Sequence, residues 1–96
     1  MKKKLNLQSE LIHSLTKMRD EKDMTEFLSG ILTPKELEEL PKRLEIFRQL
    51  KKGVPQHAIA DEVGVGVATV TRGSLELQRG HIQQTSWWRN LSVMGG

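Results

Sequence analysis

The chain has 96 residues, 36% of them hydrophobic, with 15 Lys and Arg against 12 Asp and Glu for a formal charge of +3, and no cysteine. This length supports a single small domain, 1–96, whose core is thin enough that dimerisation would help to bury it. The missing thiols exclude a disulfide framework and thiolate metal sites and fit a reducing cytoplasm. The basic start MKKKLNLQSELIH has no apolar core after it and no segment approaches membrane-spanning length, so the chain reads as soluble, untargeted and without a membrane partner. The mildly basic balance suits a phosphate backbone as partner.

Leu7, Leu11, Leu15 and Met18, with Ile12 beside them, predict an amphipathic helix over about 5–20. Residues 20–23 read as a charged break. A second helix over about 24–32 would present Phe27, Leu28 and Ile31 as its apolar side. Thr33-Pro34 starts a third: Thr33 is the N-cap, Pro34 lies in the first turn, and Glu36 completes a capping box. Pro41 cannot donate to the carbonyl of Leu37, which predicts a kink there or two helices meeting at Leu40-Pro41. Leu44, Phe47 and Leu50 extend the apolar face to Lys51-Lys52-Gly53, a stop signal of cations followed by glycine.

Pro55 opens the most informative stretch, QHAIADEVGVGVATVTRGS at 56–74. Ile59 and Val63 lie one turn apart and can face inward, and Ala60 is small enough to let a second helix cross closely. Gly64 falls where the chain must turn, and Val65 can fill the space under that turn. After Gly66, Val67, Val70, Ser74 and Leu77 share one helical face and Ala68, Thr71, Arg72 and Leu75 another. Two short helices meeting at a glycine turn with these offsets form a helix-turn-helix, with the second face outward, toward DNA. The alternative is an ordinary helical hairpin. Beyond Gly80 no period is sustained; Ser86 is the candidate cap of one short helix through Val93, and Trp87 and Trp88 are candidate anchors on the body or on a partner chain.

Other chemistry is poorly represented. His13, His57 and His81 have no metal-ligand spacing. Residues 64–69, GVGVAT, echo a dinucleotide fingerprint, but no strand precedes them and Thr69 stands at the third glycine position. No serine occupies a nucleophile elbow, and Glu36, Glu38 and Glu39 read as a solvated face. The chain is read as neither an enzyme nor a metal protein. Every predicted element is helical.

Leu32-Thr33-Pro34, Lys42-Arg43-Leu44-Glu45-Ile46 and the run from Gly64 to Ser74 resemble the tryptophan repressor family over roughly 28–77. The resemblance implies an all-α, intertwined homodimer of five to six helices per chain, with a dimerisation core over 5–53, a helix-turn-helix head over 55–79 and a tail over 80–96. It implies a DNA-binding transcriptional repressor of a roughly palindromic operator. Ala68, Thr71 and Arg72 would lie along the groove with Gly66, Val67 and Thr69, and Gln56 and His57 would reach phosphates or a base edge. Lys51, Lys52 and Arg79 would meet phosphates.

Thr33, Arg43 and Arg72 match the family's corepressor pocket, where Arg72 would take the carboxylate of L-tryptophan or a similar amino acid and the two guanidiniums would hold the indole. Glu76 stands where the family has a small hydroxyl residue, and Gly30 replaces a larger apolar one. Three arrangements stay open: Glu76 receives a ligand ammonium, Glu76 pairs with Arg72, or Trp87 or Trp88 fills the pocket. Arg43 and Arg72 could instead bind phosphate. Ligand-independent DNA binding, an architectural role and a protein-interaction module are the other functional classes.

Overall fold

The computed structural model describes residues 6–92, and they contain helices and no strand. The chain divides into two compact units, Met1–Leu37 and Glu38–Gly96.

In the first unit, α1 spans Leu7–Thr16, and the Asn6 side chain caps it by accepting from the Ser9 N–H at 3.0 Å. It stops a turn earlier than the apolar spacing predicts. The N–H groups of Lys17 and Met18 bond three residues back, to Ser14 and Leu15, and the Thr16 hydroxyl donates to the His13 carbonyl. These tighter bonds consume the last carbonyls and leave Met18 outside the helix. Leu5 lies outside the described residues.

The second helix, α2, spans Glu21–Ile31, so the expected charged break is in fact its beginning. The Asp20 carboxylate accepts from the Asp23 N–H at 2.7 Å, and Glu21 and Asp23 place negative charge at the positive end of the helix dipole. Neither α1 nor α2 has a buried residue, and Leu7, Leu11, Ile12 and Ile31 are exposed.

The capping box forms as expected. The Thr33 N–H donates to Glu36 Oε1 at 2.8 Å, and the Glu36 N–H donates to Thr33 Oγ1 at 3.2 Å. The backbone bond from Thr33, and then its side-chain bond, hold the Glu36 carboxyl below the ordinary glutamate value.

From this start α3 runs Pro34–Lys51 as one helix with Pro41 inside it, not as two helices meeting at Leu40-Pro41. Proline removes one rung of the ladder, and the turns beyond it are held by burial of Ile46, Phe47 and Gln49. The stop is a Schellman motif: Gly53 takes φ +81°, its N–H donates to the Leu50 carbonyl, and the Val54 N–H donates to that of Gln49.

The second unit continues with α4 at Gln56–Val63 and α5 at Val67–Arg79. Gly64 joins them at φ +81°, and the N–H groups of Gly64 and Val65 both bond the Ala60 carbonyl. Ile46, Ile59, Ala60 and Val70 form the buried core, with Leu50, Val54, Val63 and Val65 packed on it. Ile59 and Val70 are fully buried, each contributing about 1.5–3 kcal/mol of apolar transfer.

The inward face of α5 differs from expectation at one position. Val67 is 50% exposed, because the first residue of the helix precedes the stretch that crosses α3. Gly73 is buried in its place, and a Cβ built there would sit 3.0 Å from Cγ2 of Ile46.

The chain then makes a single 3-10 turn at Ile82–Gln84 and a short α6 at Ser86–Arg89. Its cap is Thr85, not Ser86: Thr85 Oγ1 accepts from the Trp88 N–H at 3.2 Å. Asn90 ends it; Val93, the expected end, lies outside the described residues.

Gly73→Ala is expected to lower the free energy of unfolding by about 1–2 kcal/mol in a urea titration, because crowding against Ile46 outweighs the better helix propensity of alanine. Glu36 has a depressed folded-state pKa, so its contribution is present above the ordinary value of 4.5 and lost as pH falls through the lower folded value. Glu36→Gln should therefore flatten the acid limb of the stability–pH curve below 4.5, measured by thermal unfolding.

Candidate nucleic-acid interface

The core that buries Ile59 and Val70 fixes which side of α5 faces solvent. Ala68, Thr71, Arg72 and Leu75 are all exposed, as the helical period predicts, and Thr69 is exposed as well. Gly66, also exposed, precedes α5 as its N-cap residue. Gln56, at the start of α4, reaches this surface, and its Oε1 accepts from the Thr71 hydroxyl at 2.8 Å. Exposed His57 is its neighbour on α4.

The cations divide by whether they already have partners. Among the described residues, Arg43, Lys52 and Arg72 are exposed and make no side-chain hydrogen bond or ion pair. Arg79 grips both oxygens of Glu76, at 2.9 and 3.1 Å. This pair takes Glu76 to the residue three further along α5, so the alternative in which Glu76 pairs with Arg72 does not hold. Both partners are largely exposed, and such a pair is worth at most about 1 kcal/mol.

Lys51, expected at phosphate, is half-buried and turned to the tail. Its ammonium donates to the Trp88 carbonyl and lies 4.9 Å from the centroid of the Trp88 ring. Arg48 stands 5.8 Å over Trp87 and also bonds Glu45 at 3.1 Å. The two indoles thus anchor the tail on the end of α3, an arrangement worth about 0.5–2 kcal/mol per cation–π contact. Arg48 carried no signal in the sequence, because its partner is 39 positions away and no local spacing links the two.

The expected ligand residues have separate duties. Thr33 belongs to the first unit, where its hydroxyl caps α3. Arg43, Arg72 and Glu76 belong to the second. An open groove of about 320 Å³ in that unit is lined by Pro41, Lys42, Glu45, Gln49, Glu62 and Val63, and by none of these four. Among the described residues no group of three His, Asp or Glu could hold a metal ion, and no helix is long and apolar enough to cross a membrane.

The anchor can be tested optically. Lys51→Ala should shift tryptophan emission to longer wavelength as the indoles gain water; unchanged emission would show that the tail is held by something else.

The profile of the family described as Trp repressor protein matches residues 6–92. A Trp operon repressor homolog of Vibrio atlanticus (strain LGP32) is 46% identical over 66 residues, covering 67% of this chain and 67% of the relative. One of Aliivibrio fischeri (strain MJ11) is 42% identical over 65 residues, covering 67% and 60%. One of Vibrio vulnificus (strain YJ016) is 43% identical over 60 residues, covering 62% and 59%. The chain thus spans about three fifths to two thirds of the length of these relatives. No solved structure matches it. With its helical core, glycine-turned helix pair and solvent-facing α5, the chain belongs to the Trp repressor family, which is a family of DNA-binding transcription regulators and not of enzymes.

Proposed function

We propose that the chain acts as a cytoplasmic homodimeric repressor, in which two copies of α5 read the half-sites of a palindromic operator. The observation that carries this reading is the solvent-facing row Ala68, Thr71, Arg72 and Leu75 on a helix whose opposite side is locked into the core. Small side chains at Ala68 and Thr71 leave room for a thymine methyl or a bridging water. Lys52 and His57 precede this row in sequence, at the start of the motif, and are assigned to phosphates. The exposed apolar faces of α1 and α2 support a second copy as partner, since a lone chain leaves Leu7, Leu11, Ile12 and Ile31 in water.

The proposed control ligand is an amino acid such as L-tryptophan. Arg72, free of any partner among the described residues, would take its carboxylate, and Arg43 would lie against the indole. Glu76 would receive the ammonium beside Arg79. A second reading, DNA binding without a corepressor, is favoured by the committed state of the Thr33 hydroxyl and the Glu76 carboxylate.

Selection of bound sequences from a random duplex pool, with and without L-tryptophan, tests both. A two-fold repeat that sharpens with ligand is expected, and Arg72→Ala should abolish the ligand's effect. A repeat indifferent to millimolar L-tryptophan would establish the second reading, and no selected sequence at all would overturn the repressor assignment. Lys52→Ala should weaken binding to every duplex alike and lower the slope of log affinity against log salt by about one.

A further inference from the structure

Most threonine and serine hydroxyls on a helix bond back to their own helix, at the carbonyl three or four residues earlier. Ser14, Thr16 and Thr25 do so here. Thr71 does not. Its hydroxyl crosses from α5 to α4 and donates to Gln56 Oε1 at 2.8 Å, although the two residues are 15 apart in sequence. Both lie on the solvent-facing side of the motif, Thr71 exposed and Gln56 half-buried. Their backbones are held in register by Ile59, Ala60 and Val70 beneath them.

We infer that Gln56 is a positioning residue for base reading: by taking the only proton of the Thr71 hydroxyl, it makes Thr71 Oγ1 an acceptor directed at an exocyclic amino group of adenine or cytosine. This rests on the DNA-reading role of α5 proposed above. A hydroxyl has one donor and two lone pairs, so a free threonine can meet either kind of base edge. With the proton committed, only acceptance remains. In the major groove N6 of adenine and N4 of cytosine are donors, whereas O6 and N7 of guanine and O4 of thymine are acceptors and would oppose Oγ1 lone pair to lone pair. The Gln56 amide N–H groups have no partner among the described residues, so the pair presents an acceptor from α5 beside a donor from α4. The bond also fixes the Thr71 rotamer, and with it the direction of the methyl group.

Sequence selection with the full chain and four variants tests this. The wild-type protein should select adenine or cytosine at one position of each half-site. Thr71→Val keeps the shape and loses the hydroxyl; Gln56→Met keeps the length and loses the acceptor. Each should reduce discrimination at that same position by about tenfold, with no further loss in the double variant. Gln56→Glu, which keeps an oxygen acceptor, should retain the preference even where its charge lowers affinity overall. A merely structural bond would not move base preference at one position. The inference is overturned if Gln56→Met selects as wild type does, if the two single variants act at different positions, or if the preferred base is guanine or thymine. A wild-type protein that selects no sequence overturns the operator reading itself, which sets that failure apart from the others.

Discussion

Everything in the second unit depends on the crossing of α3 by the helix pair α4–α5. Ile46 from α3, Ile59 and Ala60 from α4, and Val70 from α5 are the buried aliphatic residues that meet there. The approach is close because Gly73 has no side chain: a Cβ there would lie only 3.0 Å from the Ile46 methyl. Close packing of this kind is sensitive to single methyl groups and transmits position with little slack. A small core can therefore orient a recognition surface. The direction of α5, and hence what its outward face meets, is set by Ile59, Ala60 and Val70 on the inner side of the helix pair and by Ile46 of α3 against them.

Backbone terminations do the complementary work of fixing where each helix may begin and end. Gly53, Gly64 and Gly80 all take left-handed angles, and each closes a helix by bonding its N–H to a carbonyl three or four residues back. Asn6, Asp20, Thr33 and Thr85 perform the matching role at helix starts, each satisfying an N–H that the helix itself leaves bare. With α4 closed by Gly64 and α5 beginning directly after Gly66, the connection between them is reduced to Gly64, Val65 and Gly66. Few relative orientations are possible across so short a link.

Charge is distributed unevenly between structure and surface. Lys51, Arg48, Arg79 and Glu76 hold one another or the tail, while Arg43, Lys52 and Arg72 remain available. Formal charge treats these cations alike. A half-buried ammonium bonded to a carbonyl must give up that bond before it can meet a phosphate, whereas an exposed guanidinium loses only water. The exposed cations left without a partner among the described residues are thus fewer than the formal count suggests.

The sequence by itself determined the helix-turn-helix, the capping box at Thr33 and Glu36, the stop at Gly53 and the outward row on α5. Each of these follows from spacing within a few residues, and local spacing is what hydrophobic periodicity and capping chemistry record. It misjudged the early end of α1, the start of α2 at Asp20 and the cap at Thr85, where neighbouring polar residues competed for the same backbone groups and only geometry chose between them. It also left open a kink at Pro41 or two helices meeting there, and burial further along α3 carries one helix through. The exposure of Val67, the burial of Gly73, the capture of Lys51 by Trp88 and the Gln56–Thr71 bond were decided by tertiary structure alone. These depend on which surfaces meet, and a contact between residues 15 or 37 positions apart leaves no periodic trace in the chain.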